Sequence, residues 1–163
     1  MSGWGHVAGD TALTIHVPEL NSVVRAGFPA HVTVLFPFLH DSRLDEATER
    51  ELVELIAAHD AFELTFAEFR RYPGVLYLEP WPAGPVRALT KSVVERWPEC
   101  VPYRGIFGVG GLEPHLTVDN SEPPETQERA YDALQVELAP WLPVTAAVRE
   151  VLMIVWEGGR WVE

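Results

Sequence analysis

The chain has 163 residues, 47% of them hydrophobic and 22% charged, which fits one globular domain with a core of ordinary size. Its 24 acidic and 12 basic side chains give a net charge of −12. This argues against a grip on long duplex nucleic acid, but leaves open a small phosphorylated ligand or an oligonucleotide end met by a local cluster of arginines. The single cysteine, Cys100, excludes an internal disulfide and a cysteine-based zinc site. No apolar run nears the ~20 residues of a membrane span and the N-terminus lacks signal-peptide character, so no membrane association and a cytoplasmic location are expected.

The elements follow from periodicity. After a glycine-containing lead-in, Thr11 to Val17 alternates with period two and ends at Pro18, as a half-buried strand does, with His16 on its polar side. Residues 19–26 are expected to form a short helix stopped at Gly27, delivering Arg25 to the next strand. That strand, Ala30 to Phe38, is rich in β-branched and aromatic residues, and Pro29 and Pro37 bracket its body. Ser42-Arg43-Leu44-Asp45 resembles a capping box opening a helix that ends near His59, where an imidazole suits the helix dipole. Residues 62–66 and 75–78 read as strands, and the Pro73-Gly74 turn between them favours an antiparallel pair. Gly84-Pro85 opens a second helix with Val86, Leu89, Val93 and Trp97 on one face. A loop over 98–114, containing Tyr103-Arg104 and Phe107-Gly108, leads into a strand at 115–118 as a candidate substrate rim. A third helix from Ser121–Pro124 ends at Pro140. The run Val148 to Trp156 is expected to be one strand, returning through Gly158-Gly159 as a short hairpin. Adjacent strands joined by turns argue against a uniformly parallel sheet.

One pattern occurs twice. His31-Val32-Thr33-Val34 and His115-Leu116-Thr117-Val118 both follow a proline within two residues. With 6 histidines and this composition, two such matches arise by chance in roughly 0.5% of shuffled chains. On a strand the histidine and threonine share one face and the apolar residues take the other. If the two strands face each other across a cleft between similar halves, two imidazoles converge, each beside a hydroxyl. Phosphoryl transfer needs one oxygen deprotonated and another protonated, in line across phosphorus. Imidazoles with ordinary pKa near 6.5 supply both forms at neutral pH, and Thr33 and Thr117 can hold the non-bridging oxygens. This scheme requires no metal and no cofactor.

The chain resembles the 2H phosphoesterases, and among them the bacterial 2′-5′ RNA ligase-like proteins. The resemblance rests on the two His-x-Thr motifs, the Leu35-Phe36-Pro37-Phe38 tail of the first, Pro73 to Leu78, and the closing Trp156 to Trp161 hairpin. It implies a bilobal, pseudo-symmetric α+β fold over residues 1–163. Two mainly antiparallel sheets, flanked by helices, would border a central cleft. It also implies catalytic roles for His31, Thr33, His115 and Thr117, and metal- and ATP-independent chemistry on 2′,3′-cyclic or 2′,5′-linked phosphates of RNA ends or small nucleotides, by a monomer. Many relatives carry a basic residue soon after the second motif, where this chain has Asp119-Asn120. Arg25, Arg71 and Arg104 are the candidates to replace that charge, and Tyr103 and Phe107 the candidates to stack on a base.

Three readings compete. The first is a phosphodiesterase that opens a cyclic phosphate or cleaves a 2′,5′ bond, with RNA end-joining as its reverse. The acidic surface favours hydrolysis over aligning two RNA ends. The second is a non-catalytic nucleotide-binding module. The third is a metal site on His31 and His115 completed by Asp119 or His16, which lacks compact ligand spacing and leaves the threonines without a role.

Overall fold

A computed structural model describes residues 6–25, 28–107, 113–158 and 160–162. Eight strands are described: β1 (Thr11–His16), β2 (His31–Leu35), β3 (Phe62–Tyr72), β4 (Val75–Trp81), β5 (Leu116–Asp119), β6 (Val144–Val148), β7 (Leu152–Glu157) and β8 (Arg160–Val162). The helices are α1 (Glu46–Ala57), α2 (Gly84–Arg96) and α3 (Pro124–Leu138). The strands form two four-stranded sheets, ordered β2-β1-β7-β8 and β5-β4-β3-β6, antiparallel at every pairing. This is the expected α+β architecture. Each sheet ends in an edge strand that carries or follows one of the motif histidines.

The alternation read from the sequence places the core. In β2, Val32 and Val34 are buried while His31 and Thr33 are partly buried on the other face. Leu13 and Ile15 of β1, Leu64 and Phe66 of β3, Leu76 and Leu78 of β4 and Leu116 of β5 join one cluster with Val86, Leu89 and Val93 of α2. Each such side chain contributes about 2 kcal/mol by leaving water. The apolar face of α2 therefore packs inward as its spacing requires. Thr90 Oγ1 also donates to the Val34 carbonyl at 2.6 Å, satisfying a backbone acceptor on the free edge of β2. On the opposite flank Tyr131 of α3, fully buried, donates its hydroxyl to the carbonyl of Gly74 at 3.0 Å and lies 3.3 Å from that of Asp119. Among the described residues no helix is long and apolar enough to cross a membrane.

Several local expectations are corrected. Residues 19–25 form no helix: a 3-10 turn at Pro18–Leu20 leads into further turns, too short a stretch to sustain one, and Gly27 lies outside the described residues. Ser42 does not open α1. Its N-cap is Asp45, whose side chain accepts from the Thr48 amide at 2.7 Å, and Asp41–Arg43 is a separate turn. His59 lies beyond the last turn of α1, with Nε2 2.9 Å from Ser92 Oγ of α2. β3 runs six residues past Phe66 across a bulge, taking Arg70, Arg71 and Tyr72 out of the expected turn. The apolar run near the end is two strands in different sheets, β6 beside β3 and β7 beside β1, with residues 149–151 crossing between them. In the closing turn Gly158 has φ +62°, and Gly159 lies outside the described residues.

Candidate active site between two edge strands

His31 starts β2 and His115 immediately precedes β5. The two imidazoles adopt the same pose. His31 Nδ1 lies 2.8 Å from the Pro29 carbonyl oxygen, and His115 Nδ1 lies 2.8 Å from that of Glu113. A carbonyl only accepts, so in each ring Nδ1 carries the hydrogen and Nε2 is left with its lone pair when the ring is neutral. Burial pushes the pKa of His31 down to about 4; its carbonyl partner opposes this, while the imidazoles of His16 and His115 add to it. Burial lowers His115 as well, against the pull of the Glu113 carbonyl. Both imidazoles are therefore neutral at neutral pH, and a charge on His115 further disfavours one on His31.

A cavity of about 270 Å³ has Thr33 and His115 in its walls, together with residues of α2 and the Pro102–Tyr103 turn. His31 and Thr117 are not among its walls. Thr117 is half-buried on β5, in register with Tyr77 of β4. The histidines sit among aromatic rings. Tyr72 and Tyr77 meet His115 edge-on at 5.7 and 5.5 Å between centroids, and Phe28 meets both His31 and His16, at 5.2 and 5.5 Å. His16 is the register partner of His31, so their side chains share a face.

Tyr103 and Phe107 lie beside the site. Their rings are 5.6 Å apart; Phe107 also contacts Tyr72, while Tyr103 contacts Phe36 and bonds the Thr33 side chain through its hydroxyl. Burial raises that hydroxyl's pKa, as it raises Tyr72 to about 12. Tyr103 and Arg104 both hold left-handed backbone, with φ of 51° and 53°, an uncommon state for residues with a Cβ. Two anchors pin this turn: the Tyr103 amide donates to the Phe36 carbonyl at 2.6 Å, and Arg104 forks onto the buried Asp10 carboxylate at 2.8 and 2.7 Å. Gly108 lies outside the described residues.

The candidate arginines lie elsewhere. Arg25 pairs with Glu137 at 3.1 Å, and Arg71 bonds Asp132 and Gln135 on α3. Neither lines the cavity, nor does Arg104. Two cations missed in the sequence do: Arg87 and Lys91, at i and i+4 on α2. Their spacing on one helix face was the available signal. Asp119 accepts from the amide and hydroxyl of Ser121 at 2.9 and 2.7 Å, a local turn role. Among the described residues no group of three or more His, Cys, Asp or Glu is arranged to hold a metal ion.

Two antiparallel sheets, with a His-x-Thr motif at the edge strand of each and a cavity walled by Thr33 of one motif and His115 of the other, define a paired-histidine α+β protein of the 2H phosphoesterase class. The chain belongs to the 2′-5′ RNA ligase superfamily, which it matches over residues 12–160. The E. coli LigT structure complexed with 3′-AMP is similar at TM-score 0.60 and 16% identity, covering 96% of this chain and 94% of that one. LigT complexed with ATP gives 0.54 and 16%, covering 96% and 93%, and a crystal structure of a phosphoesterase gives 0.53 and 16%, covering 96% and 94%. At these identities the likeness is one of fold. No curated protein matches the sequence.

Proposed function

We propose that this protein is a phosphodiesterase that needs no metal or cofactor and acts on 2′,3′-cyclic phosphates or 2′,5′-linked phosphodiesters of small nucleotides or RNA ends. The 163 residues would work as a single domain, monomeric and cytoplasmic. The observation that carries this reading is the matched pose of His31 and His115, each with Nδ1 on a carbonyl and Nε2 left free. An anionic phosphate between the rings favours the charged imidazole that burial disfavours, so binding recruits one proton. The neutral ring then takes the proton of the attacking water, and the charged ring gives its proton to the leaving ribose oxygen. Thr33 and Thr117 donate to the non-bridging oxygens, where negative charge concentrates in transfer. LigT structures with 3′-AMP and with ATP are consistent with a small nucleotide as ligand.

End-joining is the same chemistry reversed, and a net charge of −12 makes it the less favoured direction for two RNA ends. A binding-only module would give affinity without turnover. A panel of 2′,3′-cyclic nucleotides and 2′,5′-linked dinucleotides, assayed with chelator present and with products identified, tests the proposal. Turnover to a monoester is expected. Binding without turnover across the panel would contradict it.

A further inference from the structure

The cavity that Thr33 and His115 line is also walled by a helix that the two motifs do not involve. Val34, Leu35 and Phe36 form one side, and α2 contributes Arg87, Thr90 and Lys91. α2 lies along the free edge of β2, held by the Thr90–Val34 hydrogen bond, so Thr33 and the α2 cations border one continuous space. Arg87 already has a partner: its guanidinium clasps the Glu113 carboxylate, and Glu113 is the residue whose carbonyl orients His115. Lys91 is different. It is exposed, and among the described residues no carboxylate lies within ion-pair distance of it. Of the two cations that wall the cavity, Lys91 is therefore the one whose charge no described carboxylate offsets.

We propose that Lys91 forms a second anion subsite, so that preferred substrates carry a second phosphoryl group one nucleoside away from the phosphate held between His31 and His115. Such substrates are nucleotides with a phosphate at each end of the ribose, or oligonucleotide ends with the next phosphodiester in place. The apolar β2 side of the cavity takes the sugar or base, and the α2 side takes the charge. This proposal rests on the two-histidine reading for its first phosphate. It supplies from α2 the positive charge that Asp119-Asn120 does not provide and that Arg25, Arg71 and Arg104 spend on Glu137, Asp132 and Asp10.

The test compares binding of adenosine 3′-phosphate and adenosine 3′,5′-bisphosphate by calorimetry, alongside turnover of adenosine 2′,3′-cyclic phosphate with and without a 5′-phosphate. The native protein should bind the bisphosphate about tenfold more tightly, as one charge-assisted phosphate contact implies. Lys91→Glu should abolish or invert that ratio and Lys91→Arg should keep it. Arg43→Ala, which removes a cation paired with Glu99 away from the cavity walls, should leave it unchanged. Added salt should shrink the preference. Equal binding of the two nucleotides, or a ratio indifferent to Lys91→Glu, would overturn the subsite while leaving the histidine site standing. Absence of binding by both nucleotides together with absence of turnover of both cyclic phosphates would overturn the subsite and the histidine site alike.

Discussion

His31 and His115 are copies in geometry as well as in sequence. Each points Nδ1 at the carbonyl oxygen two residues earlier in the chain, at 2.8 Å in both. A proline lies within two residues before each histidine, and each ring turns back onto the backbone of that segment. Backbone therefore fixes both tautomers, and neither orientation depends on a neighbouring carboxylate.

This burial has a signed consequence for stability. With its native pKa at about 4, His31 stays neutral in the folded protein while the unfolded chain takes up a proton below about 6.5. The unfolded state then binds more protons, so stability falls as pH drops from about 6.5 to about 4, and His115 acts in the same direction. The loss due to His31 reaches about 3 kcal/mol by pH 4. Urea unfolding across pH 4 to 7 measures it. His31→Gln should flatten the slope in that window, and inorganic phosphate should stabilise the native protein more at pH 5 than at pH 8.

Tyr103 bonds Thr33 from the turn before the second motif. The contact holds the Thr33 hydroxyl in one orientation at the wall of the cavity. Tyr103→Phe should lower kcat about three- to tenfold with little change in KM, as expected for a contact that sharpens in the transition state. An equal change in melting temperature and activity would assign the hydroxyl to folding alone.

Arg104 joins two opposing effects at one position. Its fork onto Asp10, whose side chain is only 6% exposed, stabilises the site's flank, while its φ of 53° costs backbone energy. Arg104→Ala should lose about 2 kcal/mol, because it leaves the buried Asp10 carboxylate with the Val7 amide but no counter-charge from Arg104, and keeps the strain. Arg104→Gly should lose less, by about 1 kcal/mol, because glycine adopts that backbone freely. Chemical denaturation of the two variants side by side measures the difference.

Much of this was legible in the sequence because strand alternation reports which face is buried. The motif strands, the antiparallel β3–β4 pair and the inward face of α2 all follow from it. The division of the last apolar run into β6 and β7 was not legible, since apolar character does not record which sheet a strand joins; only the polar pair Arg149-Glu150 marks the crossing. Arg25 and Arg71 were chosen for proximity to motifs along the chain, but acidic residues on α3 hold both. Arg87 and Lys91 read as an ordinary solvated helix face, because periodicity gives the face and not the cavity beside it.

The central claim is that the imidazoles of His31 and His115 act together on one phosphate. Its most direct measurement is kcat/KM on a 2′,3′-cyclic nucleotide for His31→Ala, His115→Ala and the double variant, each with chelator present and its fold checked by circular dichroism. Paired acid and base catalysis predicts that each single change costs about a thousandfold or more and that the double change costs little beyond either one. A single variant that keeps native turnover, or losses that simply multiply, would contradict it.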